Sequence, residues 1–436
     1  MKKLFTLLAF FFILSANAQT TYFPPLTGTT WNTLSPDSLG WCQPRIDSLY
    51  AYLEAKHSKG FIVLKDGKIV LEKYFGTFTV DSPWYWASAG KSLTATLVGI
   101  AQQENLVEIN IPVSTYLGSG WTAAPTGKED SITVKHLLTM TSGLDDNLPS
   151  PCENEDTAVA CLQYLADAGT RWAYHTGAYR KLQQVVSKVS GVSYNVVTNN
   201  RIGNHIGMQG LWINGVYYSK LRGMARFGLL IYNKGIWATD TILHSSNYYY
   251  AMTHSSQPFN LSYGYLWWLN GQSSAMAPGL QTVFQQQLFS NAPADMICAL
   301  GKNDQKIYIV PSQNMVVVRM GDAAYSSVLA FSDFDNELWG YMDSLMCPAV
   351  TNIQETVQNG NEIFVYPNPA RNIFTVELPD QNFVFEILDA TGREIYRNES
   401  VSAKLDIDCS GFSKGIYVLQ AANGKNFFTQ KLIVSE

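Results

Sequence analysis

The sequence predicts an α/β domain wrapped around an all-α part and followed by a small β-sandwich, and three patterns carry that prediction. An apolar hairpin pattern precedes a long helical stretch, strand-like runs return after it, and short alternating runs close the chain. At 436 residues the chain is long enough for two or three cores.

In order, the first residues read as a secretory signal. Lys2 and Lys3 precede an apolar run from Leu4 to Leu14, and Ala16-Asn17-Ala18 stands ahead of Gln19. Residues 1–18 are therefore expected to be removed. No cysteine marks a lipid anchor at that junction, and no later apolar run approaches the roughly 20 residues of a membrane span. A proline- and threonine-rich lead follows, then a helix over Pro44 to Ala55. Phe61 to Tyr74 forms two apolar-rich runs around Asp66-Gly67, a hairpin signal. Leu93 to Ile100 reads as a buried helix, and Thr133 to Met140, Lys181 to Ser190 and Leu221 to Lys234 as helices that stop at glycine-containing turns. Tyr263 to Leu269, Thr282 to Phe289, Asp295 to Leu300, Lys306 to Val310 and Met315 to Met320 look like returning strands, and Asp335 to Met346 like a last helix. The first domain thus spans 19–348. Residues 349–363 are polar, lack periodicity and read as a linker. In 364–436, Phe374 to Leu378, Phe383 to Leu388, Arg393 to Tyr396, Ile416 to Ala421 and Phe427 to Val434 alternate as strands of a small sandwich do.

Apolar residues make up 46% of the chain and charged residues 15%, which excludes a disordered protein. The net charge of −5, without basic clusters, gives no reason to expect nucleic acid or an anionic membrane as partner. Export makes the six cysteines candidates for disulfides. Cys152 and Cys161 flank a short polar loop and could close it. Cys42 and Cys347 could join the ends of the first domain if the helices beside them lie antiparallel. Cys298 and Cys409 read as buried thiols. No metal-ligand spacing occurs among cysteines and histidines, so neither metal nor cofactor is expected.

The chemistry points to Ser88 and Lys91. One helical turn apart, a hydroxyl and an amine share a face and can act as nucleophile and base. A helix start adds N–H groups and a positive dipole end, which favour an oxyanion and a neutral lysine. His136 and His175 read as structural hydrogen-bonders, and Thr141-Ser142-Gly143 as helix-end turn chemistry. Trp84, Trp86, Trp172, Tyr265, Trp267 and Trp268 read mostly as core. Gly411-Phe-Ser-Lys-Gly415 lacks the strand-to-helix setting of a nucleophile elbow.

Ser88-Ala-Gly-Lys91, Thr133-Val-Lys-His-Leu-Leu-Thr-Met-Thr-Ser-Gly-Leu144, Gly169-Thr-Arg-Trp-Ala-Tyr174 and Ala299-Leu-Gly-Lys302 together resemble the serine β-lactamase and penicillin-binding-protein superfamily over about residues 35 to 346. The class C β-lactamase-like branch, with its carboxylesterases, D-amino-acid peptidases and 6-aminohexanoate-dimer hydrolase-like enzymes, is the nearest in flavour. The resemblance implies an antiparallel sheet flanked by helices with a helical insert. It further implies an acylated Ser88, Lys91 as its proton partner, Tyr174 as second acid/base, and Lys302 on a strand beside the serine, facing Lys91 and Tyr174 and lowering both pKa values. The N–H groups of Ser88 and Gln305 would hold the oxyanion. Thr176 stands where the family has an amide side chain that helps hold substrate, and Asp304 where it has a glycine that lets substrate approach. These departures favour ester or peptide chemistry over β-lactam turnover, and they motivate a competing reading as a silent surface protein that binds peptide or glycan.

Tyr366-Pro-Asn-Pro-Ala370, Leu388-Asp-Ala-Thr-Gly-Arg393, Gly415-Ile-Tyr-Val-Leu419 and Gln430-Lys-Leu-Ile-Val434 resemble the C-terminal sorting domain of type IX secretion cargo. This implies passage through the periplasm of a Gram-negative bacterium, recognition by an outer-membrane export machine, and release or display at the cell surface. The remaining partner expected is a small-molecule, ester or peptide substrate.

Overall fold

β-Branched and aromatic runs give the first part of the chain a six-stranded antiparallel sheet, and the helices around it are those whose apolar stripes need that sheet. The computed structural model describes residues 21–326, 331–347, 363–378, 382–400, 402–423 and 426–435. The expected signal peptide and all but the last residue of the expected linker lie outside them. The chain divides into two units, one ending at Pro348 and one starting at Ala349, each with its own core.

In the first unit, α1 (Gln43–Ala55) leads into β1 (Ser58–Lys65) and β2 (Lys68–Tyr74). Asp66 and Gly67 join these strands with positive φ angles of 50° and 80°, as a two-residue hairpin turn requires. The short β3 (Pro83–Tyr85) enters α2 (Gly90–Gln103), which is buried on every side from Gly90 to Ala101. The helical insert includes α3 (Val134–Leu138) and α4 (Thr176–Ser190). Next, β4 (Gly210–Ile213) and β5 (Val216–Lys220) pair with each other, and β5 also pairs with β3. α5 (Leu221–Tyr232) packs on the sheet so closely that a Cβ on Gly228 would lie 2.6 Å from Val316 Cγ1. β6 (Trp268–Leu269), β7 (Ile297–Gly301), β8 (Gln305–Val310) and β9 (Met315–Gly321) return to the sheet, and α6 (Asp333–Asp343) closes the unit.

The sheet order is β2-β1-β9-β8-β7-β6, with every pairing antiparallel. β8 and β9 are buried along their whole length, as strands covered on both faces must be. α1 and α6 pack together through Tyr52, which stacks on Phe334 and Tyr341. Cys42 and Cys347, at the outer ends of these helices, are bonded with Cα atoms 5.5 Å apart, and Cys152 is bonded to Cys161. Cys298 and Cys409 are buried free thiols.

Two expected strands shrink. Of Tyr263 to Leu269 only Trp268–Leu269 pairs with the sheet, because Leu266 takes a left-handed φ of 58° and breaks the run. Of Thr282 to Phe289 only Val283–Phe284 is a strand, and both residues stay exposed, so the alternation has no face to bury.

The second unit has a three-stranded antiparallel sheet, β10 (Phe364–Tyr366), β11 (Ile373–Glu377) and β14 (Lys404–Asp408), and a four-stranded one, β12 (Phe383–Leu388), β13 (Glu394–Ser400), β15 (Gly415–Asn423) and β16 (Asn426–Val434). Phe374, Val376 and Ile407 of one meet Phe385, Ile387, Leu419 and Leu432 of the other in a common core, which makes a small sandwich. β10 escapes the sequence pattern because its three residues are all apolar or aromatic and too few to show a period, whereas β14, Lys-Leu-Asp-Ile-Asp, does alternate but over two apolar residues only. Gly411 to Lys414 form the turn before β15, away from any helix.

Candidate active site

The segment Trp86-Ala-Ser-Ala-Gly-Lys91 is fixed from both ends. Trp86 is fully buried, its N–H donating to Tyr217 O at 2.8 Å and its indole to Ser219 Oγ at 2.8 Å. Ala87 then takes a φ of 48°, a left-handed conformation uncommon for a residue with a Cβ. Ser88 follows in the 3₁₀ turn Ala87–Ala89 that runs into α2. A Cβ on Gly301 would collide with Trp86 O and lie 3.1 Å from Ala89 N, so only glycine lets the end of β7 close on this turn.

Because α2 is buried on every side, Lys91 is only 3% exposed. Its Nζ donates to Ser88 Oγ at 2.9 Å and lies 4.9 Å from the ring centroid of Tyr174 and 4.7 Å from that of Tyr179. Burial disfavours the ammonium, and Arg180 repels it while Glu155 attracts it. The outcome is an amine depressed to about 7.

Tyr174 is buried, stacked on Trp268 and edge-on to Tyr263. Its phenol is pushed above the usual tyrosine range by burial, and Tyr179 and Glu155 push the same way. The Ser88 hydroxyl only partly offsets this. The expectation of a lowered tyrosine pKa is thus corrected: desolvation outweighs any nearby cation. The expected cation is corrected as well. Lys302 is exposed and lines the cleft, but the positive charge acting on Lys91 is that of Arg180.

The cleft has a volume of about 600 Å³, in the range of small-molecule sites. Ser88, Lys91, Tyr174, Thr176 and Lys302 all line it, so five of the sequence-predicted residues converge. Gln305 does not. It is fully buried at the start of β8, pairs across the hairpin with Gly301, and its side-chain amide donates to Asn303 O and Gly321 O at 2.7 Å each. Asp304 also turns inward. At φ 58° its carboxylate accepts from Ala324 N at 3.0 Å and Ser332 Oγ at 2.9 Å and pairs with Lys306 Nζ at 3.2 Å, so it leaves the approach to the strand clear. His175 caps α4 and His136 caps α3. None of the six aromatics named from the sequence lines the cleft; Tyr85, Tyr179 and Tyr218 do.

Sequence reasoning missed Asp146, Asn154, Glu155 and Arg180, which also line the cleft. Arg180 lies one turn beyond Thr176 on α4 and pairs with Glu155 at 3.0 Å, and Asp146 pairs with Arg171 at 2.5 Å. The i, i+4 spacing from Thr176 to Arg180 was the available signal. Among the described residues no cluster of His, Cys, Asp or Glu could hold a metal ion, and no helix is long and apolar enough to cross a membrane.

Comparison with known proteins bears on the family and fold of each part of the chain. Residues 364–435 match the secretion system C-terminal sorting domain. The teichoic acid D-alanine hydrolase of Staphylococcus aureus is 27% identical over 179 residues, 38% of this chain and 44% of that protein. The matched segments span 39% and 44% of the length of the first curated relatives. A penicillin-binding protein homologue from Caulobacter crescentus superposes with a TM-score of 0.53 at 13% identity, over 70% of this chain and 98% of that one. A family VIII carboxylesterase does so with a TM-score of 0.51 at 14% identity, over 70% and 99%. At these identities the two structures share the fold alone. The family model for beta-lactamase matches residues 51–338, about two thirds of the sequence, and the chain belongs to that family.

Proposed function

We propose that the protein is an exported serine hydrolase that cleaves an ester or amide through an acyl-enzyme on Ser88. The observation that carries this reading is the 2.9 Å hydrogen bond from a buried Lys91, depressed to about 7, to the Ser88 hydroxyl. An amine so placed is neutral in a large fraction of molecules at pH 7 and can take the serine proton. Ser88 Oγ attacks the carbonyl carbon, its proton passes to Lys91, and the carbonyl π pair moves to oxygen. The Ser88 N–H donates to that oxyanion, and the backbone N–H of Gln305, which starts β8 opposite Gly301, is the second donor. The raised phenol of Tyr174 suits an acid rather than a base. It protonates the departing alkoxide or amine and recovers the proton from the lysine ammonium. Water then attacks the acyl-enzyme and gives a proton to Lys91, and as the intermediate collapses Lys91 returns that proton to the departing Ser88 Oγ.

Thr176 and Lys302, which line the cleft with Ser88, contact the substrate. The relative named a teichoic acid D-alanine hydrolase supports hydrolase chemistry. The sorting-domain match supports handling by a type IX secretion machine and delivery to the cell surface. Labelling by a fluorophosphonate probe tests the nucleophile: it is expected to disappear in Ser88→Ala, and undiminished labelling of that variant overturns the assignment.

A further inference from the structure

The loop closed by the Cys152–Cys161 disulfide lies directly on the Tyr174-His-Thr-Gly177 segment. Asn154, within this loop, lines the cleft, and its side chain is spent on backbone groups. Its Nδ2 donates to Asp146 O at 3.1 Å and to Tyr174 O at 3.0 Å, and its Oδ1 accepts from Thr176 N at 2.9 Å. Its own carbonyl accepts from Gly177 N at 2.7 Å. The loop is close enough that a Cβ on Gly177 would collide with Asp156 O.

An asparagine amide has two hydrogens, and both are used here. Asn154 therefore does not replace the substrate-holding amide that Thr176 lacks. What its bonds do instead is clamp the residues on either side of His175, and so the backbone that carries the Tyr174 ring. Two of the four groups it binds belong to Tyr174 and Thr176 themselves. Short loops without regular structure hold such geometry only when something restricts them, and the nine-residue separation of Cys152 and Cys161 does so.

We propose that Asn154 is a positioning residue for Tyr174, kept in register by the Cys152–Cys161 bridge, and that the loop between these cysteines sets how well the site protonates a leaving group. This rests on the reading of Tyr174 as the acid. The consequence is selective. A 4-nitrophenolate leaves without help, whereas a trifluoroethoxide needs the proton. A misplaced phenol should spare the first and slow the second.

The test compares kcat and KM of the full chain for 4-nitrophenyl butyrate and trifluoroethyl butyrate, in Asn154→Ala, Asn154→Asp and the double change Cys152→Ser with Cys161→Ser. Tyr174→Phe and Ser88→Ala are the references. The folded Asn154 and cysteine variants are expected to keep kcat on the nitrophenyl ester within about threefold, and Asn154→Ala to lose at least about thirtyfold on the trifluoroethyl ester, with KM little changed. Asn154→Asp keeps the acceptor for Thr176 N but loses both donors and should fall the same way. The cysteine pair should show the same selectivity, more weakly. Equal losses on both esters would mean a merely structural role and overturn the proposal, as would no loss on either. Selectivity in Tyr174→Phe without selectivity in the Asn154 variants sinks the positioning claim alone. Absence of selectivity in Tyr174→Phe, or full activity in Ser88→Ala, sinks the underlying mechanism.

Discussion

Lys91 carries both the pH dependence and a stability cost. As a base it must be unprotonated, so kcat/KM should be full above about 7 and fall as pH drops through that value. Arg180 depresses the amine and Glu155 raises it. Arg180→Met removes the repulsion and leaves Glu155 unopposed, so the acid limb should move to higher pH; Glu155→Gln should move it lower. A pH profile of each variant checks this, and limbs that stay in place would refute the assignment. Burial of the same amine also lowers stability. The unfolded chain binds the proton up to the ordinary lysine value of 10.5 and the folded one only up to about 7, so stability rises with pH across that window. Lys91→Met should abolish turnover by about 10³-fold or more. It should also stabilise the fold at pH 7 by on the order of a few kcal/mol, with the gain shrinking toward pH 10. Thermal unfolding at the two pH values measures that difference.

The turn before α2 and the end of β7 work as one unit, and Gly301 is where they touch. Gly301→Ala would force its Cβ into Trp86 O, which must push the strand away from the serine turn. The expected cost is about 1–3 kcal/mol of stability. Because Gly301 pairs with Gln305, the proposed second oxyanion donor, kcat should drop at least about tenfold with an unchanged pH profile. Unfolding and steady-state kinetics read the two effects separately, and wild-type kcat in a destabilised variant would show that the contact serves folding only. What could be read from residues alone follows the same division. The Asp66-Gly67 hairpin and the Ser-x-x-Lys turn were legible because their signals are local: a left-handed pair of residues, a helical spacing, an apolar run. Asn154 and Glu155 were not legible, since they come from an irregular loop whose position is set by a disulfide and by packing against α4. The turn at Lys302–Asp304 that ends β7 and lets Gln305 start β8 was not legible either, because motif spacing alone does not show where a strand stops.

Two separate cores account for how this chain can combine a beta-lactamase-family unit with a sorting-domain unit. The first core draws on residues from Trp31 to Leu345 and the second on residues from Ile363 onward. The alternating strands of the second were readable, because each must bury one face against the other sheet. The first depends on pairing its two ends: α1 and α6 stack, and Cys42–Cys347 bonds them across 305 residues. A chain ending at Pro348 retains every described residue of the first core and both cysteines of that bridge. It is therefore expected to unfold in one cooperative transition and to hydrolyse 4-nitrophenyl butyrate with kcat within about twofold of the full chain. Cys347→Ser in the same background releases the ends. By the loop-entropy argument a bridge over so long a separation contributes as much as about 4 kcal/mol, so the melting temperature should fall by several degrees. The kcat at 25 °C should stay unchanged, because no residue near this bond lines the cleft. Loss of activity on truncation, with the fold intact, would show that the second unit contributes to the site and would overturn this division of labour.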